Sequence, residues 1–237
     1  MSRGHELMTL HVEALYVHDA AGRIVRVNEH NGALAPRFFL GQTEDGPLRR
    51  YRYDVDDALR NALEAASQAD ALPDSAADPA ADAAARLERY AAILARSGAV
   101  QRTEAGPAFS FPLHLPAPSE AVVLVTEANV SLLHPLLPAW VPDVRLSPPL
   151  FAFVVDGQAV AVCGSVRITP RAHEAGVETA AAFRGRGYAV DVVAAWARAV
   201  RAAGAEPLYS TAWRNAASRA VARKLALVRF GCDLHVT

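Results

Sequence analysis

Two rhythms of apolar and polar positions divide the chain: short alternating runs that read as strands, and longer stretches in which apolar residues return every three or four positions, as on one face of a helix. The clearest alternation lies in residues 151–155 and 160–168, joined through Asp156-Gly157, a dipeptide suited to a two-residue hairpin turn. Residues 176–180 form another β-like run, and an apolar stripe follows over residues 188–203 until Gly204 closes it. Residues 207–213 then read as a strand, 216–227 as a helix opened by Asn215, and 229–236 as the last strand. The second arm of the hairpin is expected to pair with the strand that follows Glu174.

The first half is less regular. Residues 15–18 and 24–27 flank the turn Asp19-Ala20-Ala21-Gly22, and residues 37–40 and 50–53 lie either side of Glu44-Asp45-Gly46-Pro47, so residues 1–60 read as an antiparallel ribbon leading into a helix. That helix carries Val55, Leu59, Leu63 and Ala66 on one face, with Asp54 or Asp56 as its cap. Arg50-Tyr51-Arg52-Tyr53 reads as a half-exposed strand with tyrosines in and arginines out, the alternative being a substrate-facing patch. Residues 67–81, rich in Ala, Asp and Pro, form a linker or mobile loop, and residues 82–96 resume helical spacing through Leu87, Tyr90, Ala91 and Leu94. Residues 109–115, broken by Pro112, make at most an edge strand. Residues 122–125 suit a buried strand or a helix start, 127–137 a helix ended by Pro138, and Pro142, Pro148 and Pro149 mark an extended connection.

Strand, glycine loop and helix meet at Arg184-Gly185-Arg186-Gly187. The two glycines allow a tight turn and a close approach, and the helix opening at Tyr188 has N–H groups without intrahelical partners. Those donors, the positive end of the helix dipole and the cationic Arg184 and Arg186 point to an anion site, best filled by a phosphate or diphosphate. A nucleoside-triphosphate loop would need Gly-Lys-Ser/Thr, whereas the chain's one lysine is Lys224; a dinucleotide fingerprint would need a third glycine where Val190 stands.

The pattern Gln/Arg-x-x-Gly-x-Gly/Ala, met by Arg184, Gly187 and Ala189, resembles the acyl-CoA loop of the GNAT N-acetyltransferase superfamily. Asn215, Ser218, Lys224 and Leu225 are similar to the family's next segment, where an Asn ends a strand and opens a helix. The resemblance covers about the C-terminal half. It implies an α/β (α+β) fold with a mixed central sheet flanked by helices, a GNAT acetyltransferase domain over residues 118–237, and an N-terminal α+β region over 1–117. It implies acetyl-CoA as co-substrate, its arm threading the gap where two central strands splay apart. The residues expected to hold it are Thr179, Ala180 and Ala181 by backbone groups, then Arg184, Gly185, Arg186, Gly187, Tyr188 and Ala189, with Asn215 and Ser218 from the later segment. Asn215 also serves as an ordinary N-cap, and both roles are compatible.

Direct acyl transfer needs a neutral amine in line with the thioester, a donor for the developing oxyanion and an outlet for the thiolate. Glu174 and Glu178 are four apart, hence on one face of their strand, and are the candidates for general base or ammonium anchor; pairing with Arg167 or Arg171 is the competing reading. His173 faces the other side and reads as structural. Many relatives place a tyrosine seven residues after the asparagine, but Ala222 stands there, leaving Tyr209, Tyr188, Ser218 or solvent to serve the thiolate. The implied activity is acetylation of a primary amine, on a small molecule; the alternative is a GNAT domain that binds acyl-CoA without turnover, as a sensor or interaction module.

Composition narrows the partners. The 237 residues are 52% hydrophobic with formal net charge −1 and pI near 6.7, enough for one large or two small domains and without the basic face that nucleic acid or an anionic membrane requires. No signal segment or bilayer-length apolar run appears, so the expected location is cytoplasmic. Cys163 and Cys232 read as separate buried thiols, and the eight histidines make no metal-ligand spacing, so no metal is expected. The N-terminal half is left with three roles: an independent domain, a degenerate repeat, or a homodimer surface.

Overall fold

The computed structural model describes residues 2–30, 32–68 and 78–237. In chain order the elements are α1 (Arg3–Leu15), β1 (Tyr16–His18), β2 (Ile24–Val27), β3 (Phe38–Thr43), β4 (Gly46–Tyr51), α2 (Asp57–Gln68), α3 (Pro79–Leu94), β5 (Thr103–Ser110), β6 (Val122–Val125), α4 (Asp143–Leu146), β7 (Leu150–Val155), β8 (Gln158–Ile168), β9 (Ala172–Thr179), α5 (Tyr188–Ala202), β10 (Glu206–Ser210), α6 (Ala216–Lys224) and β11 (Val228–Val236). Short 3-10 turns add Val130–Leu133, Pro138–Trp140 and Ala181–Phe183.

The chain packs as two compact units that do not follow the expected division at 117/118. One takes residues 1–109, 210–219 and 229–237; the other takes 110–209 and 220–228. The end of the chain therefore packs with its beginning.

In the first unit the strands run β4-β3-β11-β5, with β3 antiparallel to both β4 and β11. Alternation along β3 sends Phe38 and Leu40 into a core with Leu63 of α2 and Tyr90 and Leu94 of α3, while Phe39 meets His11 of α1. Helix α1, absent from the sequence reading, is capped by Ser2 and buries Leu7, Met8, Leu10, His11, Val12 and Ala14. Asp56 caps α2 through the Leu59 N–H, and α3 starts at Pro79 behind an Asp78 cap, three residues earlier than expected. Of the segment read as a linker, Ser67 belongs to α2 and Pro79–Ala81 to α3; positions 69–77 lie outside the described residues. The Arg-Tyr alternation also fails after Tyr51, which stacks on Phe38. Arg52 is buried, bonded to Asp54 and the Ala35 carbonyl, and Tyr53 is exposed.

A row of charges crosses this unit. His11 Nε2 lies 3.5 Å from Asp233, His235 Nε2 lies 3.4 Å from Glu104, and Glu104 also accepts from Arg102 and Arg214. Asp233 is buried, which opposes its charge, yet His11 and His235 hold it well below the usual carboxylate range. Burial likewise opposes the His235 imidazolium, but Asp233 and Glu104 outweigh it and push its pKa up to about 9; the hydrogen bond from His235 holds Glu104 down to about 2.

In the second unit the order is β10-β9-β8-β7-β6, antiparallel except for the parallel pair β10–β9. The sheet is thus mixed and carries helices. Asp156 and Gly157, both at positive φ, make the β7–β8 turn, and β8 pairs with β9 as expected. Residues 122–125 are strand β6, whereas 127–137 form turns and one 3-10 turn in place of the expected helix. Their leucines still reach a core: Leu133, Leu137 and Trp140 pack with Leu150, Ala152 and Val162 on one face of the sheet. The buried side of α5, with Val193, Trp196 and Val200, supplies another core, and Arg201 ties the helix end to the carbonyls of Phe111 and Pro112. Residues 109–115 hold only the end of β5, and the chain after Ser110 leaves the strand near Pro112. Cys163 and Cys232 are separate buried thiols. No helix among the described residues is long and apolar enough to cross a membrane.

The charge row gives a test. His235, raised from 6.5 to about 9, contributes its full stabilisation below pH 6.5 and loses it as pH rises through 9. The shift corresponds to at most about 3 kcal/mol. Urea unfolding is expected to show that decline between pH 6.5 and 9.5, and His235→Gln should flatten it. On the acid side the pairing persists until Glu104 protonates near pH 2.

Candidate active site

Strands β9 and β10 pair in parallel at Ala172↔Glu206, His173↔Pro207 and Glu174↔Leu208, and the described register stops there. Strand β9 continues to Thr179 along β8. Because the Ala180 N–H donates to Val160 O at 2.9 Å, the backbone groups of even-numbered residues at this end face β8, and by alternation those of Val177 and Thr179 face the side from which β10 has departed. An extended ligand with amides of its own can complete that edge. Ala180 was expected to supply a donor, but its N–H is already committed to β8; Ala181 opens the 3-10 turn, its carbonyl accepting from Arg184 N.

The chain then turns through the glycine loop. Gly185 and Gly187 sit at φ 80° and 93°, the left-handed region that side chains disfavour, and a Cβ on either would meet nothing within 4 Å. Conformation, not crowding, demands glycine here, and the space above the loop is open. Gly187 is the N-cap of α5 and provides no side-chain cap; the Val190 N–H returns to Gly187 O, and Tyr188 and Ala189 form the first turn. An uncapped 15-residue helix behind an open left-handed loop has the donor set and the clearance that a diphosphate requires. The arginines hold the loop itself: Arg184 Nε donates to Thr179 O at 3.1 Å, and Arg186 donates to Ala182 O and lies over the Phe183 ring. Tyr188 stacks on Phe153 at 4.3 Å, and Asp191 in the first turn accepts from the Ser119 N–H.

Glu174, Gly176 and Glu178 share one face of β9. Glu174 is buried, opposite Arg167 in the β8–β9 ladder, whereas Glu178 is exposed and accepts a 2.7 Å hydrogen bond from Trp140 Nε1. Four residues of strand put their Cα atoms about 13 Å apart. On the opposite face, Trp196 Nε1 donates to Ser165 Oγ, which lies 2.9 Å from His173 Nδ1; burial lowers the His173 pKa. His173 thus belongs to a packed network under α5.

Tyr209, the candidate for the thiolate, is buried edge-on to Phe111. Asn215 Oδ1 accepts the Ser218 N–H and caps α6, as its N-cap reading required. Asn215 and Ser218 belong to the first unit, and the glycine loop belongs to the second. Ala222, at the position where the resemblance implies a tyrosine, is buried. Trp140 is the site residue that sequence reasoning missed. The available signal was a lone tryptophan between Pro138 and Pro142, facing a register that pairs Gly164 with Gly176.

Comparison with known proteins bears on the fold. Residues 156–229 match the family model described as FR47-like protein. The structure is similar to a GCN5-related N-acetyltransferase from Kribbella flavida, with 14% identity, TM-score 0.51, and coverage of 100% of this chain and 95% of that one. A GNAT-family acetyltransferase from Colwellia psychrerythraea aligns at 13% identity over 86% of this chain and 81% of its own, TM-score 0.48. A GNAT-family protein from Novosphingobium aromaticivorans aligns at 19% over 58% of this chain, which spans 65% of that protein, TM-score 0.46. The chain matches none of the curated proteins. The fold is that of the GNAT acyltransferases. Residues 156–229, the segment that matches the FR47-like model, carry the glycine loop.

Left-handed geometry at the helix mouth has a measurable cost. Gly187→Ala is expected to lower unfolding free energy by about 1–2 kcal/mol, and Gly187→Asn by less, because asparagine tolerates αL. Equal losses in urea melts would contradict the role assigned to φ.

Proposed function

We propose that this protein is an N-acyltransferase that moves an acetyl group from acetyl-CoA to a primary amine of a small molecule. The observation that carries the reading is the parted edge of β9 running directly into an uncapped helix mouth, so that one extended ligand is gripped by its amides and its diphosphate at once. Acetyl-CoA supplies the activated thioester. The first turn of α5 and the loop amides bind the diphosphate, and the Val177 and Thr179 backbone orients the arm along β9. A backbone N–H on that edge is placed to stabilise negative charge developing on the carbonyl oxygen. The amine nitrogen forms the new C–N bond as the C–S bond breaks, its proton passes to a carboxylate or water, and the thiolate leaves with the sulfur's electron pair. Glu178 is the carboxylate exposed on this face; Glu174 lies deeper, at the last ladder pair.

A second reading has its own support. With Ala222 where the resemblance implies a tyrosine and Tyr209 buried, the departing thiolate is left to Tyr188, Ser218 or solvent. A reference thiol pKa of about 8.5 lets solvent take that role, but a domain that binds acyl-CoA without turnover fits the same facts. The cytoplasmic location expected from the sequence belongs with either reading.

Calorimetry with CoA and a thiol-release assay with acetyl-CoA and a panel of amines test both. The expected result is CoA binding, amine-dependent thiol release, and a loss of affinity of about tenfold or more in Gly187→Val, where a branched side chain distorts the loop. Binding without release selects the second reading; no CoA binding contradicts both.

A further inference from the structure

The indole of Trp140 occupies a position that two glycines leave open. Gly164 and Gly176 are direct partners in the β8–β9 ladder. A Cβ on Gly164 would lie 3.2 Å from Trp140 Cζ3, and one on Gly176 would lie 3.1 Å from Cη2, so the six-membered ring rests on bare backbone of two adjacent strands. The 3-10 turn Pro138–Trp140 delivers it there, and Leu133, Leu137 and Leu150 hold it among the core residues of that face. Seated in this way, the ring aims its one polar atom, Nε1, at Glu178 Oε2.

Glu178 is two residues beyond Gly176 on the same face, and one before Thr179 at the parted edge. Its Oε1 has no hydrogen-bond partner among the described residues. A carboxylate on an exposed strand position would ordinarily sample several rotamers; a neutral donor fixed by packing removes that freedom and leaves one oxygen and the full negative charge directed outward. An arginine in place of the indole would have neutralised the charge.

We propose that Trp140 is a positioning residue that fixes the Glu178 carboxylate to receive a protonated primary amine at the β9 edge. This role deepens the acyltransferase reading and rests on it for its place in turnover, though the ammonium seat itself is readable without turnover. The glycine pair leaves room for this seat: a Cβ at 164 would crowd the indole together with Leu150 Cδ1 at 3.0 Å, and one at 176 would crowd it together with Val166 Cγ1.

Indole ¹⁵N resonances provide the test. The chain has three tryptophans. Trp140→Phe should remove one indole signal, Glu178→Gln should move that same signal, and Glu174→Gln should leave it in place. Titration of the full chain with benzylamine hydrochloride should move the signal saturably in the wild type and not in Glu178→Gln. In thiol-release assays, Trp140→Phe and Gly164→Ala should lower kcat/KM for the amine by about tenfold or more, with KM for acetyl-CoA changed by less than about twofold and the thermal midpoint of Trp140→Phe little altered. A Trp140 signal indifferent to Glu178→Gln, or to benzylammonium up to its solubility limit, overturns the proposal. So does a wild-type kcat/KM in both variants. A wild type that releases no thiol with any amine removes the acyltransferase reading alone, since the resonance and the titration still decide the seat.

Discussion

Backbone amides at a sheet edge must find partners, and the architecture of the second unit turns on one edge where the protein withholds them. Strands β9 and β10 run together for three register pairs and then part, so that Val177 and Thr179 face a side that β10 no longer covers. Neighbouring features keep that edge in place. The long β8 holds β9 from its other side, the Ser165–His173–Trp196 network packs beneath it, and Arg184 ties the loop back to Thr179. The edge is thus held from several sides, with the Thr179 carbonyl already met by Arg184, and its remaining groups are suited to binding.

The helix mouth extends the same logic. Left-handed glycines bring the chain from the strand end to the first turn of α5 without a capping side chain, leaving the donors of strand, loop and helix in succession. The nearby cations brace the loop with one donor atom each, Arg184 Nε to Thr179 O and Arg186 Nη2 to Ala182 O, which leaves the rest of each guanidinium for an anion. In the proposed acyl-CoA complex the diphosphate meets oriented amides, whose position is set by the fold, with the two guanidinium groups beside them.

Much of this was legible in the sequence because the signals are local. The Asp156-Gly157 turn, the alternating arms around it, the two loop glycines and the apolar stripe of α5 each specify their element within a few residues. What escaped depended on contacts distant in sequence. Helix α1 buries six of its residues, including His11, against strands that include the end of the chain, so its polar and apolar positions do not read as a clean stripe. The leucines of residues 127–137 mimic a helix, yet Pro138 and Pro142 and a core that takes Leu133 and Leu137 from successive tight turns give a compact irregular cap. Trp140 gains its meaning only when β8 and β9 are in register and two glycines coincide under its ring. Glu174 and Glu178 share one face as the spacing implied, but burial, which pattern does not carry, separates them into a buried acid and an exposed one.

The central claim is that one extended ligand completes the open edge of β9 and the mouth of α5 together. Amide hydrogen exchange on the full chain, with and without acetyl-CoA, tests it most directly. The account expects new protection at Val177 and Thr179 and across residues 185–189, appearing together with rising ligand concentration, while Ala180, already bonded to Val160, stays unchanged. Exchange at the β9 edge and the helix mouth that acetyl-CoA leaves unaltered would contradict it.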